Sequence, residues 1–191
     1  MTAFTINFDA IVQITDEHFA QLCRANPDVK FERTANGELV IVAPTGGDTG
    51  SYNAELNADF VIWNRQTKLG VVFDSSTCFR LPNEALRSPD AAWIEQERWN
   101  ALTPEQKAKF SPIAPDFVLE LMSPSDELSD VQAKMREYIE NGVQLGWLLN
   151  RKTRSVEIYR SNQPVEVLES PETLSGEGVL PGFVLNVQSL W

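Results

Sequence analysis

Residues 115–122, PDFVLELM, are an apolar run of strand length with one charge between Phe117 and Met122, the carboxylate of Glu120. Continuous apolar runs are typical of strands that are buried on both faces, so we predict a central strand of a mixed sheet here. An ionised carboxylate in such a strand is costly unless it is paired, hydrogen-bonded or bound to a metal. Glu120 is therefore either one half of a buried ion pair or a ligand at a metal site.

A similar segment, SPDAAWI at residues 88–94, precedes this run and is also predicted to be a strand. Asp90 follows Pro89, and proline suits the start of a strand because it has no N–H to donate. Neighbouring strands lie about 4.8 Å apart, so Asp90 can lie beside Glu120. Asp116 is on the Glu120 strand itself, and four residues of strand separate the two by roughly 13 Å. We therefore predict Asp90 and Glu120 as the two acids of one site, and Asp116 as a strand-entry residue.

A charged helix is predicted after the Glu120 strand, opening at residues 125–126 and ending at Asn141-Gly142. Its apolar stripe consists of Leu128, Val131, Met135, Tyr138 and Ile139. Lys134 falls on the border of that stripe. It is either an ordinary surface lysine with its stem along the sheet or a lysine that points its ammonium at a site near the strand ends. Beside a metal-bound water, that ammonium could position the water and stabilise the charge that develops on a phosphorane.

Strand and helix patterns alternate along the rest of the chain, with a hairpin signal at Asn36-Gly37. The further predicted strands are 31–34, 38–42, 71–73, 77–81, 145–149, 155–159 and 165–168. The further predicted helices are a short one from Thr15, one of about fifteen residues after the loop 44–51, and a helical excursion over 97–110. This order predicts an α/β or α+β fold with helices packed on a sheet.

Glu55 lies on the first long helix, at the edge of an apolar stripe formed by Tyr52, Leu56, Phe60 and Trp63. Asp59 follows one turn later, and two acids at this spacing repel slightly unless a positive group is near. Glu55 is therefore either an outer contact of a bound metal or part of a solvated helix edge. The glycine-rich residues 46–50 before this helix lack the Gly-Lys-Ser/Thr ending of a nucleotide-binding loop.

The composition predicts one globular domain over residues 1–191. No apolar run reaches the roughly 18–20 residues that span a bilayer, and no secretory signal is recognisable, so we expect a cytoplasmic protein. Cys23 and Cys78 are too few for a disulfide framework, and a single histidine, His18, excludes multi-histidine zinc sites. The net charge of −11 opposes tight binding to nucleic acid, which depends on Lys and Arg, unless a metal supplies local positive charge.

Together, these residues resemble the Uma-two family of restriction-endonuclease-like proteins. The matching elements are Pro89-Asp90, residues 115–126, Lys134-Met135, Tyr138, Asn141-Gly142, residues 146–149, residues 46–50 with Asn53 and Glu55, and residues 180–183. The resemblance implies the fold of the PD-(D/E)xK nucleases, a mixed central sheet flanked by helices, and Mg²⁺-dependent hydrolysis of phosphodiester bonds. It implies that Asp90 is the acid of the PD element, Glu120 the acid of the (D/E)xK element and Glu55 the acid of the first core helix. The chain has Met122 where the family pattern has lysine, so Lys134 would supply the amine.

Two functions stand as hypotheses. In the first, the protein is a cytoplasmic endonuclease acting on nucleic acid, DNA in particular, and not on membranes. Asp90 and Glu120 bind Mg²⁺ or Mn²⁺, Lys134 positions the attacking water, and Glu55 assists from its helix. In the second, which Met122 and the acidic charge balance favour, it is a binding or scaffold protein with a nuclease fold and no turnover.

A homodimer is a further expectation from the apolar C-terminal segment. The residues that could form its interface include Phe183, Leu185, Leu190 and Trp191. The same residues could equally complete the core.

Overall fold

The structure of the protein, a computed structural model, describes residues 3–8 and 11–191. Its helices are α1 (Asp16–Ala25), α2 (Gly47–Thr67), α3 (Gln96–Asn100), α4 (Pro104–Lys107) and α5 (Leu128–Glu140). Its strands are β1 (Ala3–Ile6), β2 (Lys30–Arg33), β3 (Leu39–Val42), β4 (Gly70–Asp74), β5 (Phe79–Arg80), β6 (Leu86–Arg87), β7 (Ala91–Glu95), β8 (Phe117–Leu121), β9 (Leu145–Asn150), β10 (Ser155–Arg160), β11 (Glu166–Glu169), β12 (Thr173–Ser175) and β13 (Val184–Asn186). A 3₁₀ turn covers Gln188–Leu190.

A mixed six-stranded sheet forms the centre of the fold, with strand order β11-β10-β9-β8-β7-β4. Strand β8 pairs in parallel with β9 and antiparallel with β7, and helix α5 connects the two parallel strands. Every residue of β8 is buried, which agrees with its nearly continuous apolar sequence. The predicted mixed sheet with flanking helices, and the central place of the Glu120 strand within it, are confirmed.

Helices α2 and α5 pack on opposite faces of this sheet. The α2 face buries Leu56, Phe60 and Trp63 against alternate residues of the central strands, such as Phe117 and Trp147. The α5 face buries Met135 and Tyr138 against the residues in between, such as Val118 and Leu148. This alternation is the two-residue period of a strand that is covered on both sides.

Helix α5 lies close to the sheet because β9 has a glycine beneath it. A Cβ atom at Gly146 would lie 2.5 Å from Cε of Met135. The missing side chain makes room for Met135, which is fully buried. The close packing holds the residues next to Met135 on α5 near the ends of β7 and β8.

A second sheet, with strand order β1-β3-β2-β6-β5, contains the predicted N-terminal hairpin. Strands β2 and β3 pair antiparallel, and Gly37 in their connection has φ = 85°, a backbone conformation that favours glycine. The sheet and helix α1 share a small core formed by Phe19, Phe31, Leu39 and Leu86. The hairpin prediction is confirmed.

Two predicted boundaries are wrong. Helix α2 begins at Gly47 and has 21 residues, so most of the supposed glycine loop is the first turn of a longer helix. Helix α5 begins at Leu128 after Glu127, and not at Ser125-Asp126. The carboxylate of Asp126 accepts a hydrogen bond from the backbone N–H of Ser123, 2.8 Å away, which fits a local turn ahead of the helix.

The helical excursion over 97–110 is divided between α3 and α4. Thr103 caps α4: its hydroxyl accepts from the N–H of Gln106, whose side chain bonds back to the N–H of Thr103. Helix α5 ends at Glu140, with Asn141 as its C-cap and Gly142 after it at φ = 103°, which agrees with the predicted stop at Asn141-Gly142.

The apolar C-terminal segment completes the core. Phe183, Leu185 and Leu190 are all at most 4% exposed and pack on the α2 face of the central sheet. These side chains are therefore not available as a dimer interface, and the homodimer stays a prediction without their support. None of the helices in residues 3–8 and 11–191 combines the length and apolar character that a membrane crossing requires.

Gly70 gives the fold its first testable prediction. A Cβ atom there would lie 2.2 Å from the backbone oxygen of Ile94 and 2.4 Å from the ring of Trp93. We expect Gly70→Ala to lower the free energy of unfolding by about 1–3 kcal/mol, because neither neighbour can move away easily. Gly47→Ala is the matched control, since a Cβ at Gly47 has no atom within 4 Å. Urea titration followed by circular dichroism measures the free energy of unfolding of both variants. A Gly70→Ala protein as stable as the Gly47→Ala control would contradict the prediction.

Candidate active site

Asp90 lies directly before β7, at the end of the central sheet, and is only 3% exposed. The register pairs Ala91 with Leu119, so Asp90 lies across from Glu120 on the neighbouring strand. Its Oδ2 accepts from the N–H of Leu121 at 2.9 Å, and its Oδ1 accepts from the side-chain amide of Asn53 at 3.3 Å. Two different elements, β8 and α2, therefore fix the orientation of this carboxylate.

Glu120 is 7% exposed and receives two donors from α5 on the same oxygen. Its Oε1 accepts from the hydroxyl of Tyr138 at 3.0 Å and lies 2.8 Å from the ammonium nitrogen of Lys134. Within the described part of the chain, no hydrogen-bond donor approaches Oε2. The carboxylate thus has one oxygen held by the helix and one oxygen left for another ligand.

Lys134 lies on α5 with its side chain 19% exposed, and it contacts two carboxylates. Its Nζ is 2.8 Å from Oε1 of Glu120 and 3.0 Å from Oε1 of Glu32. The structure therefore brings together Asp90, Glu120 and Lys134, which the sequence placed in one site. It also shows that Lys134 is not an ordinary surface lysine.

Three charged residues of this neighbourhood were missed by the sequence prediction. Glu32 on β2 accepts from the N–H of Ser88 at 3.0 Å and from Nη1 of Arg87 at 3.2 Å. Arg87 in turn donates from Nε to Glu137 on α5 at 2.6 Å. In the sequence, Phe31-Glu32-Arg33-Thr34 reads as a half-exposed hairpin strand, so no local signal marks Glu32 as buried.

Burial and charge shift the pKa values of these groups in different directions. Burial alone would raise the pKa of Glu32, but Lys134, Arg87 and Lys30 outweigh it and lower that pKa to about 2. Burial raises the pKa of Glu120, and the charges of Asp90 and Glu32 raise it further against the opposing effect of Lys134. Burial, together with the nearby carboxylates of Asp90 and Glu32, thus makes the ionised form of Glu120 costly.

The pKa of Lys134 is raised above its ordinary value. Burial acts to lower it, but the charges of Glu120 and Glu32 outweigh that effect. Lys134 is therefore an ammonium at neutral pH. It can orient a water molecule and stabilise negative charge, but it is a poor acceptor for a proton.

These groups line one cavity of about 750 Å³ between the β2–β3 hairpin and helix α5. Among the residues that the structure describes, the acids lining it are Glu32, Glu38, Asp90, Glu120, Asp126, Glu127, Asp130 and Glu137. The basic residues lining it are Lys30, Arg87 and Lys134. The cavity is therefore acidic, and an anionic ligand would need a cation to enter it.

The other residues considered from the sequence lie elsewhere. Glu55 is exposed on α2 and is not among the residues lining the cavity, so its role as a metal contact stays a prediction. Met122 is buried in the α5 face of the core, at the place of the family's lysine. Asp116 is 1% exposed and accepts hydrogen bonds from Arg98 and Gln144, which agrees with a structural role at the start of β8.

The donor chemistry fits a divalent cation. Asp90 and Glu120 offer carboxylate oxygens from facing positions, including the unengaged Oε2 of Glu120, and a cation would relieve their mutual repulsion. In residues 3–8 and 11–191, no group of three or more His, Cys, Asp or Glu side chains is arranged as a complete metal site. Two carboxylates would be enough for a hydrated divalent cation that completes its coordination with waters and substrate phosphates.

Comparison with known proteins identifies the family to which the chain belongs. The model of the Uma2 family, described as "Putative restriction endonuclease", matches residues 16–188, so the chain belongs to that family. No curated protein matches the chain.

A solved structure from Anabaena variabilis ATCC 29413, described as "a putative nuclease belonging to DUF820", is similar with a TM-score of 0.76 and 20% sequence identity. The similarity covers 93% of this chain and 97% of that one, and at this identity it shows the fold. The restriction-endonuclease-like fold predicted from the sequence is confirmed.

The low pKa of Glu32 predicts a pH-dependent contribution to stability. Since its pKa falls from an ordinary 4.5 to about 2 on folding, its ion pairs stabilise the protein fully above pH 4.5 and less as the pH falls towards 2. We expect Glu32→Gln to lower the free energy of unfolding by about 3 kcal/mol at pH 7, and this loss to shrink below pH 4.5. Urea titrations from pH 7 to pH 3 measure the difference.

Glu38→Gln is the matched control for this measurement, because Glu38 is on the same hairpin and bonds to Thr34 without contacting Lys134 or Arg87. A difference between wild type and Glu32→Gln that stays constant with pH would show that the ion pairs of Glu32 contribute little.

Proposed function

We propose that the protein is a metal-dependent nuclease that hydrolyses phosphodiester bonds of nucleic acid, with DNA as the expected substrate. One observation carries the proposal: Asp90, Glu120 and the ammonium of Lys134 converge in a single cavity. Membership of a family described as "Putative restriction endonuclease" supports it. The acidic cavity also suits a reaction in which substrate and divalent cation enter together.

Asp90 and Glu120 would hold Mg²⁺ or Mn²⁺, each with at least one carboxylate oxygen. When bound, such a cation lowers the pKa of a coordinated water and withdraws charge from a phosphoryl oxygen. The hydrogen bond from Leu121 N–H keeps Asp90 turned towards the cavity, and Tyr138 does the same for Glu120. Both carboxylates are thus positioned before any ligand arrives.

Lys134 would position the attacking water and stabilise the negative charge that builds on the phosphoryl group. Its raised pKa keeps it protonated, which suits an electrostatic role in a partly buried site. The ammonium comes from α5 and replaces the amine that Met122 cannot provide. A lysine on α5 can take this role because the ammonium nitrogen of Lys134 lies 2.8 Å from Oε1 of Glu120.

The main test is cleavage of single- and double-stranded DNA and RNA with Mg²⁺ or Mn²⁺ and with a chelator. We expect wild-type activity only with the cation, and a loss of at least about 100-fold for Glu120→Gln and Asp90→Asn. Glu105→Gln is the matched control, because Glu105 is exposed on α4, outside the cavity lining, and its ion-pair partner is Lys109. Calorimetry should show cation binding by wild type that Glu120→Gln weakens.

Equal cleavage by wild type and Glu120→Gln would reject the proposed site. If the wild type neither cleaves nor binds Mg²⁺ or Mn²⁺, the alternative follows, a nuclease-fold binding or scaffold protein without turnover. The acidic balance of the cavity and Met122 at the lysine position are the features that favour this alternative.

Glu55 is tested separately, because its exposed position sets it apart from the cluster. If Glu55 assists from α2, Glu55→Gln should reduce cleavage by about 10-fold, as loss of an outer metal contact does. Glu172→Gln, another exposed acid, serves as its control. Unchanged activity of Glu55→Gln would remove it from the set of functional residues. The single domain over residues 1–191, the cytoplasmic location and the homodimer stay predictions.

A further inference from the structure

Lys134 has two carboxylate partners, and they come from different sheets. Glu120 belongs to the central sheet, and Glu32 belongs to the second sheet. The two contacts are of similar length, 2.8 and 3.0 Å from the same nitrogen. The proposed nuclease site uses only the first of these contacts, so the second needs its own explanation.

Glu32 is held more rigidly than an ion-pair partner of a lysine needs to be. Its Oε1 also accepts from the N–H of Ser88, its Oε2 accepts from Arg87, and Arg87 is anchored to Glu137 on α5. The residue is 3% exposed and lies on β2, an inner strand of its sheet. Glu32 therefore has anchors that do not depend on Glu120.

Glu120 cannot bind a divalent cation and keep an equally strong ion pair with Lys134. A divalent ion on its carboxylate would repel the ammonium, and a freed lysine side chain gains rotamer entropy. Without a second partner, Lys134 would turn towards solvent when the cation arrives. The partner that can prevent this is Glu32, which already contacts the same nitrogen.

We propose that Glu32 is a positioning residue that keeps the Lys134 ammonium at the site when the charge of Glu120 is taken up by a bound cation. The proposal rests on the proposed function, but the retention of Lys134 can be measured without turnover. Glu120→Gln imitates the loss of carboxylate charge in metal-free protein. In that variant, Glu32 is the carboxylate that still contacts the Lys134 ammonium.

The experiment follows the ammonium signal of Lys134 by NMR in protein labelled with ¹⁵N at the lysine side chains, in a chelator. The signal is assigned from its absence in Lys134→Arg. An ammonium held in a partly buried ion pair gives a visible signal, whereas a solvated one is lost by exchange with water. We expect the signal in wild type, in Glu120→Gln and in the Glu120→Gln/Glu38→Gln control, and its loss in Glu120→Gln/Glu32→Gln.

Loss of the signal in Glu120→Gln alone would overturn the proposal, because Glu32 would then be too weak an anchor. Retention of the signal in Glu120→Gln/Glu32→Gln would overturn it too, because something else would hold Lys134. Amide spectra check that each variant is folded. If the double variant with Glu32→Gln does not fold, Glu32→Asp replaces it, since a carboxylate shorter by one methylene should weaken the signal.

Steady-state cleavage adds a second readout. Glu32→Gln should lower kcat by about 10- to 100-fold with little change in KM, because a displaced ammonium harms the reacting geometry more than substrate binding. Glu32→Asp should recover part of this loss in kcat. A rise of about 10- to 100-fold in the KM of Glu32→Gln with unchanged kcat would contradict a positioning role. If wild type does not cleave at all, the proposed function fails while the NMR result still decides the role of Glu32.

Discussion

The ammonium of Lys134 lies between the central sheet and the second sheet, and it is bonded to one carboxylate from each of these two sheets. Glu120 projects from the all-buried strand β8, and Glu32 projects from the hairpin sheet. Without this ammonium, the Glu120 carboxylate would be a poorly compensated buried charge, a situation that costs several kcal/mol, whereas Glu32 would keep Arg87 as a partner. Together with the pair of Arg87 and Glu137, this bridge links the second sheet to the central sheet and to helix α5.

The ammonium of Lys134 does not neutralise all the carboxylates around it. Asp90 lies beside Glu120 and has no basic partner among residues 3–8 and 11–191, and its charge helps to raise the pKa of Glu120. Two acids therefore occupy facing positions at a buried sheet edge, an arrangement that a purely structural ion pair would not need. Such unrelieved repulsion is common where a protein binds a cation, because the ion then supplies the missing positive charge.

The sequence predicted the parts of this arrangement that leave local signals. Glu120 stands out as a charge in an apolar strand, and Lys134 as a base at the border of a helical stripe. Glu32 left no such signal, because its burial comes from the packing of a second sheet against α5, which no short window of sequence records. The start of α5 was misplaced for a similar reason: Asp126 is a good capping residue by type, but here it bonds to Ser123 in a turn.

Helix α5 contributes Lys134, Glu137 and Tyr138 to the cluster, from positions three and four residues apart that share one side of the helix. These side chains move as one body, because a single rigid element carries them. A rotation of the helix about its axis would change the amine, the anchor of Arg87 and the hydroxyl on Glu120 together. The close contact of Met135 with Gly146 restricts that rotation. The lack of a side chain at one position of β9 therefore helps to align all three side chains of α5 with the site.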